Sequence, residues 1–189
     1  MRRNRLLMKK IIVGISGASG SILGIRLLQE LKGKAETHLI ITETAQKILG
    51  HETGFTVKQV EKLASKSYSN SDFFASIASG SFKTDGMVII PCSMKTLAGI
   101  ASGFSDNLLL RCADVCLKER RRLVLVARET PLSYIHIRNM ETASKAGAIM
   151  LPPVLSLYSK PKSIDDMVNH IVGKVLDMLE IEVSYKRWE

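Results

Sequence analysis

The chain has 189 residues, the size of one domain and long enough to bury a hydrophobic core without disulfides. Its 46% hydrophobic and 24% charged residues exclude a disordered chain, and 5% aromatic residues leave little for a base-stacking nucleic-acid platform. Lys and Arg total 27 against 18 Asp and Glu, a formal net charge of +9 that points to anionic partners without naming them.

Three cysteines argue against a secreted disulfide scaffold. No apolar run approaches the roughly 20 residues of a membrane span, so no membrane partner is expected. The basic start, Met1 to Met8, is followed by Lys9 and Lys10, which break the apolar run before it reaches signal-peptide length. Residues 1–8 read as a disordered leader, residues 1–189 as a single domain, and the protein as cytoplasmic.

Lys10 to Ile15 is rich in Ile and Val and ends in a Gly/Ser cluster, which predicts a buried strand. Ser19 to Leu31 carries Ile22, Leu23, Leu27, Leu28 and Leu31 at helical spacing. Thr37 to Thr42 is a second strand, Glu43 to Leu49 a helix, and Val57 to Ser65 a weaker helix. Ser67 to Ser81 is polar and reads as a loop with one helical turn. Gly86 to Ile90 is a third strand, stopped by Pro91. Met94 to Ser102 and Asn107 to Glu119 are helices. Arg122 to Arg128 is a fourth strand, Tyr134 to Lys145 a helix, and Ala148 to Leu151 a fifth strand before Pro152-Pro153. Ser163, with Asp166 three positions on, starts a last helix with one apolar stripe. Apolar strands alternating with helices imply an α/β fold, a parallel sheet with helices on both faces. Ligands of such sheets bind outside the carboxyl ends of the strands.

The residues at those ends leave two readings each. Gly14-Ile15-Ser16-Gly17-Ala18-Ser19-Gly20 is either a tight packing turn or a phosphate site at a helix N-terminus. It lacks the spacing of G-x-G-x-x-G and of a P-loop. Pro91-Cys92-Ser93-Met94-Lys95-Thr96 is either a proline stop with a Ser93 cap or a turn that holds the polar edge of a ring system. Arg128-Glu129 is either surface or a charged pair facing the same crevice, and Tyr158 either covers the core or offers a phenol to an anion. For Arg111 and Lys118, seven apart on one helix, spacing favours a solvated face; for Lys174, a snorkelling side chain. The four histidines and three cysteines show no metal-ligand spacing, so no metal is expected.

Taken together, GISGASG after the first strand, PCSMKTLAGIASG after the third, NLLLRCADVCLKERRRLVLVARETPLS across the fourth, and LPP with Tyr158 before the last helix resemble the UbiX-type flavin prenyltransferases. The resemblance runs from about Lys9 to the end of the last helix. It implies a three-layer, flavodoxin-like or Rossmann-like flavoprotein assembled as a dodecamer with sites between subunits. It implies that reduced FMN and dimethylallyl phosphate are joined at flavin nitrogen 5 and carbon 6, without a metal. The product, prenylated FMN, then serves a UbiD-type decarboxylase of aromatic or unsaturated acids.

Carried over by motif, the resemblance assigns Gly17, Ala18, Ser19, Thr42, Ser93, Met94, Lys95, Thr96 and Arg128 to the flavin. It assigns Arg111, Lys118, Arg128, Tyr158 and Lys174 to the allylic phosphate, Arg111 across an interface. Ser19, Glu52, Lys118 and Glu129 fall on catalytic positions. Some members have Arg at position 174, and Arg122 and Ala127 stand where prolines are usual. Two rivals share the fold: an FMN-dependent decarboxylase of a cysteine-type carboxylate, and a non-catalytic FMN-binding subunit. The first uses an Asn-containing motif after the third strand, and Pro91 to Thr96 has no Asn.

Overall fold

β1 (Lys9–Ile15) and β2 (Ala35–Ile41) form where Ile, Val and Leu run almost unbroken, and they pair in parallel from Lys9↔Ala35 to Ile15↔Ile41. The structure, a computed structural model, describes residues 8–185; residues 1–7 of the expected leader lie outside the described residues. β4 (Gly86–Cys92), β5 (Arg122–Ala127) and β6 (Ile149–Met150) extend the sheet beyond β1, and β3 (Lys66–Tyr68) adds the other edge. All pairs are parallel, in the order β3-β2-β1-β4-β5-β6. This is the strand order of a Rossmann sheet; without β3 it reduces to the flavodoxin order.

Side chains alternate across the sheet and so divide the core in two. Val13, Leu39, Val88 and Val124 point to the face covered by α1 (Ser21–Leu31), α2 (Glu43–Glu52), α3 (Val57–Glu61) and α7 (Ile164–Met178). Ile12, Ile40, Ile89 and Leu125 point to the face covered by α4 (Met94–Ser102), α5 (Leu108–Lys118) and α6 (Tyr134–Lys145). Gly24 lets α1 lie directly on β4, since a Cβ there would stand 2.6 Å from the Ile90 carbonyl oxygen. Ser163 and Asp166 form a reciprocal capping box at the start of α7, as their spacing predicts.

Three elements depart from the sequence pattern. β3 occupies the start of the polar segment read as a loop, while the one helical turn expected there is a 3-10 turn at Ser76–Ala78. It is three residues long and pairs on one side only, so it carries no buried apolar run. His38 ties it down: its Nδ1 lies 2.9 Å from the Tyr68 hydroxyl. β4 does not stop at Pro91 but runs to Cys92, because the β4–β5 ladder is irregular between Ile89 and Cys92 and asks no N–H of the proline. α3 ends at Glu61, short of Ser65, whose hydroxyl and amide instead bridge to Thr37 of β2.

Candidate active site

The chain leaves β1 toward β2 on one side, and β4 lies on the other, so a crevice opens at the carboxyl ends of β1 and β4. Ladder pairing between them ends at Gly14↔Ile89. Beyond that point the turn after β1 and the turn after β4 are joined through Ser16. Its Oγ donates to the Pro91 carbonyl at 3.0 Å and accepts the Ser93 N–H at 2.8 Å.

The turns serve as helix caps and as crevice walls at once. Thr42 Oγ1 accepts the Ala45 N–H at 3.3 Å and caps α2. Ser93 Oγ accepts the Thr96 N–H at 3.2 Å and donates to Thr96 Oγ1 at 3.1 Å, capping α4. Both also line a cavity of about 750 Å³, with Gly17, Met94, Lys95, Thr96 and Glu129. That volume lies in the range of small-molecule and cofactor sites. The opposite wall is the Ser69–Ser71 segment with Phe73, which leaves β3 and is fastened to α5. There Asn70 accepts the Leu108 N–H on its backbone carbonyl at 2.8 Å and the Leu109 N–H on Oδ1 at 3.0 Å.

The residues fit a flavin. Gly17 has no room for a side chain, since a Cβ would stand 2.7 Å from Thr44 Cγ2, so backbone lines the crevice there. Hydroxyls, amides and one cation, Lys95, supply donors for the carbonyl and phosphate oxygens of such a ligand. Ala18 is buried, Ser19 is exposed beside them, and the Arg128 N–H donates to the Cys92 carbonyl at 3.0 Å as β5 ends at the same rim. Among the described residues no group of His, Cys, Asp or Glu has the makings of a metal site.

Glu52, at the end of α2, reaches the start of α1. Its Oε2 accepts the Gly20 N–H at 2.9 Å and the Ser21 N–H at 3.1 Å. Burial alone would raise this carboxyl, but hydrogen bonds from the Ser19 hydroxyl, the two amides and Ser21 outweigh it and hold the group below the ordinary carboxylate value. α1 has no side-chain cap of its own, and Gly20 precedes it at φ 106°, in the left-handed region. The anion that the glycine-rich turn invites at this helix start is therefore a carboxylate of the same chain.

The cations fall elsewhere. Arg111 and Lys118 line a separate recess of about 470 Å³ with Ser79, Gly80, Ser81 and Lys83. Arg111 donates to the Ala78 carbonyl at 3.2 Å and pairs with Asp114 at 2.8 Å; Lys118 pairs with Glu119 at 2.9 Å. α5 begins at the crevice with Leu109 and ends with Lys118, which puts the lysine about 13 Å further along the axis, toward the opposite rim. The Tyr158 hydroxyl lies 3.4 Å from His170 Nε2, and Lys174 is exposed on α7. One chain thus brings together Gly17, Thr42, Ser93 to Thr96 and Glu129 on the cavity wall, and leaves Ala18, Ser19, Glu52, Arg111, Lys118, Arg128, Tyr158 and Lys174 outside that lining. Spacing along a helix tells which face residues share, not which rim of the sheet they reach.

Sequence reasoning passes over Ser16 and Asn70. Ser16 stands inside the small-residue run, where only its burial, 1% exposed, distinguishes it. Asn70 belongs to the polar loop, and its partners Leu108 and Leu109 are far away in the chain.

Residues 2–176 match the Flavoprotein family model. A probable UbiX-like flavin prenyltransferase of Sedimentibacter hydroxybenzoicus is 52% identical over 183 residues, covering 95% of this chain and 97% of the relative. The crystal structure of AnUbiX (PadA1) in complex with FMN and dimethylallyl pyrophosphate superposes with a TM-score of 0.95 at 47% identity, covering 96% of this chain and 97% of the other. A dodecameric FMN-dependent UbiX-like decarboxylase from Escherichia coli O157:H7 gives 0.94 at 48% identity, covering 95% and 99%.

Proposed function

The chain belongs to the Flavoprotein family and within it to the UbiX-type flavin prenyltransferases, and we propose that its crevice between Gly17 and the Ser93–Thr96 turn seats the flavin for that reaction. The enzyme joins the dimethylallyl group of dimethylallyl phosphate to reduced FMN, forming prenylated FMN. The reduced flavin supplies the nucleophilic nitrogen 5 and carbon 6. The residues supply position, charge and proton transfer.

Gly17, Ala18 and Ser19 face the ligand from β1, Thr42 from β2, and Ser93, Met94, Lys95 and Thr96 hold the ring edge from β4. Cleavage of the allylic C–O bond leaves an anionic phosphate and a cation-like carbon. Lys118, Arg128, Lys174 and Tyr158, with Arg111 beside them, form the cradle that stabilises the leaving charge; preorganised charge of this kind is usually the largest catalytic contribution. Glu129, which lines the crevice and accepts the Thr130 N–H at 3.0 Å, stands where it can carry a proton at the phosphate side. Glu52, ionised and hydrogen-bonded beside Ser19, is the carboxylate that the resemblance sets beside the flavin, and it or Glu129 takes the proton lost as the ring closes.

The cradle is completed by neighbouring copies in a dodecamer. Two features support this reading: a relative of 48% identity is dodecameric, and Lys118 lies outside the crevice of its own chain. The product passes to a UbiD-type decarboxylase, and that partner sets the pathway served. A cytoplasmic setting is supported by three free, buried cysteines, whose thiols burial pushes up to about 12. No helix among the described residues is long and apolar enough to cross a membrane.

The observation that carries the reading is the convergence of the turns after five strands, β1 to β5, on one cavity of about 750 Å³. Anaerobic incubation with reduced FMN and dimethylallyl phosphate, with mass spectrometry of the flavin afterwards, tests it. A flavin heavier by one prenyl group is expected; unaltered FMN refutes the reading. Lys118→Ala and Glu129→Gln are each expected to slow turnover by about a hundredfold or more while FMN stays bound. Product formation at the wild-type rate in both variants would remove them from the site.

A further inference from the structure

We propose that Ser16 is a positioning residue for the flavin site, the side chain that sets the distance between the turn after β1 and the turn after β4. The inference rests on the flavin lying in the crevice between those turns.

Strand pairing no longer holds the two turns together, because the β1–β4 ladder ends at Gly14↔Ile89. Past the end of the ladder, Ser16 alone makes a three-way junction. The Ser16 N–H donates to the Pro91 carbonyl at 3.1 Å, and the Ser16 hydroxyl donates to the same carbonyl at 3.0 Å. The hydroxyl oxygen accepts the Ser93 N–H at 2.8 Å. Ser93 caps α4 and holds the Thr96 amide and hydroxyl, so the position of Ser16 passes directly to the Ser93–Thr96 turn. On its other side Ser16 is bonded covalently to Gly17, and its carbonyl accepts the Ala18 N–H at 2.8 Å.

These demands dictate the residue type. A hydroxyl is at once donor and acceptor, and the site needs both. The side chain is 1% exposed, so no water replaces a lost bond cheaply. Alanine would leave the half-buried Ser93 N–H without its partner, and only the backbone bond from the Ser16 N–H to the Pro91 carbonyl would then tie Ser16 to the β4 side. Buried away from the cavity, Ser16 acts on the ligand only through its neighbours.

The test measures FMN affinity, by quenching of flavin fluorescence, together with thermal stability and steady-state constants on the assembled protein. Ser16→Ala is expected to weaken FMN about tenfold, the scale of one well-placed hydrogen bond, and to raise the KM for FMN more than that for dimethylallyl phosphate. Amide exchange at Ser93 and Thr96 is expected to quicken. Thr37→Val is the control, because the buried Thr37 Oγ1 likewise accepts a part-buried backbone amide, the Ser65 N–H at 2.9 Å, but away from the crevice. It is expected to lower Tm and leave FMN affinity unchanged.

Ser16→Cys, close in size and a weaker hydrogen-bonding group, is expected to fall between wild type and Ser16→Ala, and replaces it if the alanine variant does not fold. Wild-type FMN affinity in Ser16→Ala or Ser16→Cys, or an equal loss in Thr37→Val, overturns the inference. Lys95→Glu separates this from failure of the site itself. If the crevice holds FMN but Ser16 does not position it, only Lys95→Glu weakens binding; if the flavin lies elsewhere, neither does.

Discussion

Glu52 does at the start of α1 what a serine, threonine or asparagine cap does at the other α-helices, but from 31 residues away in the chain. A carboxylate suits the place, because the first-turn amides and the positive end of the helix dipole both favour negative charge. Burial opposes the charge, while the Ser19 hydroxyl and the Gly20 and Ser21 amides more than offset that, so the folded carboxyl titrates below its ordinary 4.5. A depressed folded value makes the unfolded chain the better proton binder in acid. The stabilisation by Glu52 is therefore complete above about pH 4.5 and disappears as pH falls through the lower folded value. Glu52→Gln, which keeps an acceptor oxygen but loses the charge, is expected to cost about 0.5 kcal/mol at neutral pH, the size of one charge at a helix start. Thermal unfolding of wild type and variant over a pH series checks the sign: the gap in Tm is constant above that value and closes below it. A gap that stays constant into acid would mean that the charge contributes nothing.

At the scale of elements, the two walls of the crevice are fastened by different means, the β4 wall through Ser16 and the β3 wall through Asn70. α5 begins with the Leu108 and Leu109 amides bonded to Asn70 and the Leu110 amide bonded to Asn107 Oδ1, so its first turn is satisfied by two asparagines. Asn70→Ala is expected to destabilise the protein by about 1 kcal/mol and to weaken FMN, since the segment of Ser69, Ser71 and Phe73 loses one of its two bonds to α5 and keeps only the backbone one. Asn70→Asp, which keeps the acceptor, is expected to hold its Tm. Chemical denaturation and FMN titration check both. Such pairings show why only part of the site is legible in the chain. β1, β2, β4 and β5 announce themselves as apolar runs because helices bury both faces, and their ends place Gly17, Thr42, Ser93 and Glu129 on one rim. β3 is a three-residue edge of Lys, Ser and Tyr with no such run, and Pro91 looks like a stop because the irregular β4–β5 ladder that tolerates it is a property of the sheet. Ser16 is one more small residue in a turn until its two partners on β4 and beyond are seen.

At the scale of the whole molecule, the surface carries apolar side chains that a lone chain has no reason to expose. On α6, Tyr134 is 73% and Ile135 68% exposed, and in the segment before α7, Val154 is 69% and Leu157 65% exposed. Patches of this kind mark contact surfaces. In the proposed cradle Lys118 serves a neighbour's crevice, because α5 carries it away from the crevice of its own chain. Assembly then controls catalysis more strongly than flavin binding, because Gly17, Thr42 and Ser93 to Thr96 come from one chain. Ile135→Glu places a charge on that exposed α6 face, where its burial in a contact would be costly without a partner. Light scattering is expected to show a species smaller than the wild-type assembly. Turnover is expected to fall by about a hundredfold or more, as for loss of the cradle charge, with a much smaller loss of FMN affinity. A dissociated variant that prenylates flavin at the wild-type rate would show that each chain builds its own phosphate cradle, and would remove Lys118 from the shared site.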